Sequence, residues 1–128
     1  MILGVGIDLV SVNRIEKIYK KYPKRFLDRI FTDQEKSNYA QSKASVNTLA
    51  ARYAAKEAVL KAIGCGIGPA ALNEVELITA PGQQPVVILH GTALQLAAGR
   101  NITETALSMT HEPPFACACA VAYNKDKV

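Results

Sequence analysis

The stretch Ile2-Leu3-Gly4-Val5-Gly6-Ile7-Asp8-Leu9-Val10 decides how this chain folds. Side chains alternate across a strand, so Leu3, Val5, Ile7 and Leu9 crowd one face, while Ile2, Gly4, Gly6 and Asp8 leave the other nearly bare. Two glycines on one face let a ligand or another backbone come close. Asp8 stands at the end of that bare face, where a carboxylate loses hydration unless a cation or strong donors compensate. Two readings fit it: a metal ligand, or a cap on the helix that follows.

Downstream, Ser11 can cap a helix in which Ile15, Ile18, Tyr19 and Tyr22 recur at helical spacing and which Pro23 stops. A short helix over 24–30 precedes Thr32-Asp33-Gln34-Glu35, the spacing of a capping box, and a helix over 33–42. The longest helix runs over 46–63, rich in alanine and closed by Gly64, with Gly66 and Gly68 expected to make its exit flexible. Strand patterns over 74–79 and 85–89 flank the turn Ala80-Pro81-Gly82-Gln83-Gln84. A short helix over 93–98 follows, and strands over 103–110 and 115–123 form a second hairpin across His111-Glu112-Pro113-Pro114. The fold class is therefore α+β: one domain over 1–128, an antiparallel sheet with helices grouped mainly in the first half and packed on one side.

A composition of 49% hydrophobic and 20% charged residues excludes disorder over any long stretch. No run approaches the roughly 18 apolar residues of a membrane span. The apolar opening lacks a basic leader and a small-residue cleavage site, so a cytoplasmic protein without membrane contact is expected. Cys65, Cys117 and Cys119 are then thiols, the last two sharing one strand face as small buried hydrophobes rather than ligands.

Charge is uneven. Arg14, Lys17, Lys20, Lys21, Lys24, Arg25 and Arg29 oppose only Glu16 and Asp28, giving +5 between Ser11 and Arg29 in a chain of net +4. That is either a surface for an acidic partner or a solvated helix face. A nucleic-acid module is a rival reading, weakened by 6% aromatics and no tryptophan. Neither a Walker loop nor a full dinucleotide fingerprint is present.

At about 100° per residue, Glu57 shares its arc of the long helix with Ala50, Tyr53, Ala54, Leu60 and Lys61. An ordinary Glu57–Lys61 pair would need no such apolar surroundings. Carboxylates from a strand end and a helix interior, Asp8 and Glu57, suit Mg²⁺, which takes oxygen ligands, keeps several waters and bridges to substrate phosphates. Lys61 could meet a phosphate oxygen left free. His111 stands with Ser108 and Thr110 at the mouth of the second hairpin, either exposed or facing a ligand.

Taken together, Gly4-Val5-Gly6-Ile7-Asp8-Leu9-Val10, Phe31-Thr32 to Glu35, Arg52-Tyr53-Ala54-Ala55-Lys56-Glu57-Ala58 with Lys61-Ala62 and Gly64, and Leu107-Ser108-Met109-Thr110-His111 resemble the holo-acyl-carrier-protein synthase family. The resemblance implies the 4′-phosphopantetheinyl transferase fold. It also implies an Mg²⁺-dependent enzyme that moves phosphopantetheine from coenzyme A to a serine of acyl carrier protein, in support of fatty acid biosynthesis. It carries the metal onto Asp8 and Glu57 and makes Glu57 and Lys61 the catalytic pair. Coenzyme A falls to Arg52, Lys61, Ser108 and His111. The basic first helix receives the acidic carrier, with Arg14 leading and Lys17, Lys21 and Arg25 beside it. The family forms homotrimers with active sites between subunits. The proton acceptor for the carrier serine is Glu57 or a metal-polarised water. A metal-dependent phosphoesterase acting with water is the enzymatic rival.

Overall fold

A computed structural model describes residues 1–65 and 68–128. Strand β1 (Ile2–Ser11) leads into helices α1 (Val12–Lys21), α2 (Pro23–Ile30), α3 (Asp33–Ser42) and α4 (Val46–Ala62). A 3-10 turn at Leu72–Glu74 opens the hairpin β2 (Val75–Ile78) and β3 (Val86–Leu89). Helix α5 (Gly91–Gly99) then precedes the hairpin β4 (Glu104–Glu112) and β5 (Phe115–Tyr123). The main sheet is antiparallel in the order β1-β5-β4, and β2-β3 is a separate two-stranded ribbon. This is the expected α+β architecture, with both hairpins in place.

Local chemistry sets the boundaries. The Ser11 hydroxyl accepts from the Arg14 N–H at 3.3 Å and caps α1, while Pro23 takes the first position of α2, where its missing N–H costs no bond. At α3 the capping box is complete: the Glu35 N–H donates to Thr32 Oγ1 at 3.2 Å and the Thr32 N–H donates to Glu35 Oε1 at 2.8 Å. Gly64 follows α4 in the left-handed region, φ 83°, and Arg100 Nη1 donates to Ile63 O at 3.0 Å, satisfying a carbonyl of that helix end. The expected flexible exit at Gly66 lies outside the described residues.

Helix α4 packs on the glycine face of the sheet, where a row of Ala116, Ala118, Ala120 and Ala122 on β5 continues the thin surface. A β-carbon at Gly4 would stand 1.9 Å from Ala62 O, and one at Gly6 would stand 1.9 Å from Ala58 O. The bare face therefore receives a backbone, one of the two possibilities its glycines allow.

The crowded face behaves differently. Val5, Ile7 and Leu9 are 62%, 64% and 64% exposed, and Phe115 beside them is 51% exposed. Cys119 pairs with Ile7 and Cys117 with Leu9 on this same outward face, Cys119 exposed and Cys117 half-buried. Their expected burial is thus corrected: alternation places the two together but does not say which face the chain covers. One boundary also moves. Strand β4 reaches Glu112, paired with Phe115, so His111 belongs to a strand and the turn shrinks to Pro113-Pro114.

On the far side of α4 lies a fully buried ion pair. Lys56 Nζ donates to Glu35 Oε1 at 2.6 Å and to the carbonyl of Val75, while Glu35 Oε2 accepts from the Leu77 N–H at 3.0 Å. Burial pushes the Lys56 ammonium below its ordinary pKa, and the Glu35 charge opposes that fall. α3, α4 and β2 are joined at one point. Gly6→Ala is expected to lower stability by about 3 kcal/mol or more, since neither backbone can yield, measured as the shift in urea midpoint. Lys56→Met strands a buried carboxylate and is expected to cost about 3–5 kcal/mol in the same assay.

Candidate active site

The close approach of α4 to β1 positions Asp8. Gly4 lies against Ala62 and Gly6 against Ala58, so the next inward residue of β1 falls further toward the start of α4. Asp8 is 15% exposed. Its Oδ1 accepts from Lys61 Nζ at 3.0 Å, and the same ammonium donates to Ile7 O at 3.0 Å. Its Oδ2 is buried with no hydrogen-bond partner.

These contacts remove one reading of Asp8 and one of Glu57 left open above. Ser11, not Asp8, caps α1. Lys61 turns to Asp8 rather than forming the ordinary i, i+4 pair with Glu57.

Glu57 is half-buried and lines a cavity of about 320 Å³ with Leu60, Lys61, Cys65, Gly68, Ala70 and Leu72. Tyr53, one turn earlier, reports what surrounds it. Burial pushes its phenol up, the Glu57 charge pushes it further, Arg14 opposes, and Asp8 adds to the rise. Asp8, Glu57 and Arg14 thus all act electrostatically on one hydroxyl. Sequence reasoning put Tyr53 on the Glu57 arc without giving it a role; the shared arc was the available signal.

The donor set fits a divalent cation of the Mg²⁺ kind. An ionised oxygen buried without a partner is costly unless a cation meets it, and Asp8 Oδ2 is such an atom. Among the described residues no three His, Cys, Asp or Glu side chains converge as a metal cage. Two carboxylates alone leave most coordination positions to water and substrate oxygens, which is how Mg²⁺ is ordinarily held.

Other expected site residues lie apart from this cluster within the chain. Arg52 Nη1 donates to Thr79 Oγ1 at 3.4 Å, its guanidinium lies 5.1 Å from the Tyr39 ring centre, and its Nε is buried without a partner. It faces α3 and β2. Ser108 is exposed on the outward face of β4, paired with Cys119. His111 is exposed, in register with Ala116 and Val10, one row beyond the Asp8–Ala118–Met109 row on the same face.

Along α1 and α2, Arg14, Lys17, Lys21 and Arg25 are all exposed. Lys20 is paired with Glu16 at 2.6 Å and Lys24 with Asp28 at 2.7 Å, whereas those four have no acidic partner among the described residues. Beneath them a cleft of about 450 Å³ is walled by Ile18, Tyr22, Phe26, Ile30 and Leu72, with Arg25, Arg29 and Tyr53 completing it. Tyr53 connects this cleft with Asp8 and Glu57, and Leu72 lines both cavities.

The chain resembles known proteins over nearly its whole length. Residues 4–119 match the family model of the 4′-phosphopantetheinyl transferase superfamily. A holo-[acyl-carrier-protein] synthase of Desulforudis audaxviator is 45% identical over 95% of this chain and 93% of its own, and one of Natranaerobius thermophilus is 38% identical over 97% and 99%. The crystal structure of the Neisseria meningitidis holo-[acyl-carrier-protein] synthase superposes with a TM-score of 0.86 at 36% identity, covering 97% of this chain and 100% of that one. The Helicobacter pylori enzyme in complex with coenzyme A superposes with a TM-score of 0.79 at 30% identity, over 93% and 99%. An inward strand aspartate, a helix glutamate one face away and full-length likeness to these enzymes together place the chain in the 4′-phosphopantetheinyl transferase superfamily, among its holo-acyl-carrier-protein synthases.

Proposed function

We propose that this protein transfers the 4′-phosphopantetheine group of coenzyme A to a serine of apo acyl carrier protein, with Mg²⁺ held by Asp8 and Glu57. The observation that carries the reading is the partnerless buried oxygen of Asp8, whose other oxygen meets Lys61, a residue that lines one cavity together with Glu57. When bound, the ion would offset charge developing on the pyrophosphate. Asp8 and Glu57 would fix its place, and Lys61 would hold a phosphate oxygen. The carrier serine hydroxyl attacks the β-phosphorus and gives up its proton to Glu57 or to a water. The bond to the α-phosphate breaks, and adenosine 3′,5′-bisphosphate leaves. Such a step supports fatty acid biosynthesis and belongs in the cytoplasm.

The acidic carrier would dock on α1 and α2, with Arg14, Lys17, Lys21 and Arg25 free to meet carboxylates and the apolar cleft between them free to take side chains. The pantetheine arm then has a short path past Tyr53 to Glu57. Three copies would assemble through the outward sheet face. That face exposes Val5, Ile7, Leu9 and Phe115 contiguously, a patch of the kind soluble monomers seldom carry. Assembly also explains why Arg52, Ser108 and His111 lie away from Asp8 within one chain: a neighbour would bring them to the nucleotide.

Labelled coenzyme A, Mg²⁺ and apo carrier protein test the reading. Label is expected on the carrier, and Asp8→Ala and Glu57→Ala are expected to reduce transfer by roughly a thousandfold. Hydrolysis of coenzyme A without any carrier would point instead to a phosphoesterase. Arg14→Glu is expected to lower kcat/KM for the carrier about tenfold, an effect that shrinks in high salt, with KM for coenzyme A unchanged. Val5→Asp is expected to give monomers in sedimentation analysis and to lose activity with them.

A further inference from the structure

Lys61 is committed twice. Its ammonium holds Asp8 Oδ1 at 3.0 Å and Ile7 O at 3.0 Å, yet its side chain is 51% exposed and also lines the cavity beside Glu57. A mostly buried carboxylate needs a cation, and within this chain Lys61 is that cation. The other oxygen of Asp8 stays partnerless. A divalent ion drawn to that oxygen would sit a few ångströms from the ammonium, and like charges at that range repel. The ion is fixed by two carboxylates on packed elements, whereas the lysine hangs on four rotatable bonds with open space beside it. The lysine is the group that yields.

We propose that Lys61 is the resident counter-ion of Asp8, that a divalent cation displaces it, and that the displaced ammonium turns into the cavity toward the substrate phosphates. Metal alone then binds against the cost of breaking the Lys61–Asp8 pair. With coenzyme A present, the ammonium gains a new anionic partner, so metal and coenzyme A each tighten the other by the same factor. This inference rests on the metal reading given above and adds a coupling device to it.

The test measures binding rather than turnover. Free Mn²⁺ is followed by electron paramagnetic resonance as it is titrated into the wild-type protein and into Lys61→Met, Lys61→Arg and Glu57→Ala, with and without coenzyme A. Lys61→Met is expected to bind Mn²⁺ alone about tenfold tighter than wild type. Lys61→Arg should resemble wild type, and the tightening by coenzyme A should be larger in wild type than in Lys61→Met. In parallel, acetylation of Lys61 by an amine-reactive reagent, read by mass spectrometry on the wild-type protein, is expected to rise when Mg²⁺ is added. This arm stands even if Lys61→Met fails to fold.

Equal or weaker Mn²⁺ binding by a folded Lys61→Met, or Lys61 labelling indifferent to Mg²⁺, overturns the displacement and leaves the transferase reading intact, provided wild type binds Mn²⁺ and transfers label. Wild type that binds no Mn²⁺, with or without coenzyme A, overturns both.

Discussion

The approach of α4 to β1 governs everything else in this molecule. Two residues of β1 carry no β-carbon at the points where the helix carbonyls of Ala62 and Ala58 come closest, and nothing larger than glycine fits there. The alanine row of β5 extends the same thin surface, so a helix lies on a sheet with almost no side chains between them. Contact at this range fixes the register of strand against helix. Asp8 is the first inward position of β1 that has room for a functional side chain, and it emerges facing the helical turn that carries Glu57 and Lys61.

Register alone leaves α4 free to roll, and the buried Glu35–Lys56 pair removes that freedom. Lys56 precedes Glu57, and its ammonium is held by a carboxylate from α3 and by the carbonyl of Val75. A buried pair of this kind contributes little net stability against a well-packed apolar substitute, but it is costly to break and it specifies one arrangement. Here the specified arrangement turns Lys56 toward α3 and β2 and leaves Glu57 lining the cavity. Two adjacent side chains of opposite charge thus serve different faces of one helix, Lys56 holding the scaffold and Glu57 lining the cavity.

Much of this was legible before any coordinates. Alternation in residues 2–10 gives the strand and its bare face, the Thr32–Glu35 spacing gives a complete capping box, and the turn residues give both hairpins. What stayed hidden depends on contacts distant in sequence. Glycines signal a close approach but not whether a ligand or a helix makes it. The partner of Lys61 could not be read from α4, because Asp8 lies 53 residues away and wins over Glu57 one turn off. Cys117 and Cys119 were placed on a common face, but a period of two is blind to which face is covered. The end of β4 was misplaced because Glu112 pairs with Phe115 across a tight proline turn, a pairing that local propensity disfavours.

A thin inward face and a crowded outward face on the same strand are connected requirements. The helix can come close only if β1 gives up its inward side chains, and that leaves the apolar content of β1 on the outer face as Val5, Ile7 and Leu9. The single chain therefore cannot bury the outward side chains of this strand. Arg52 and His111 do not reach Asp8 in one copy, and the assembly proposed above would both cover the exposed face and bring a neighbour's residues to the site. The position of Asp8 and the exposure of the outward face are two consequences of placing Gly4 and Gly6 where they are.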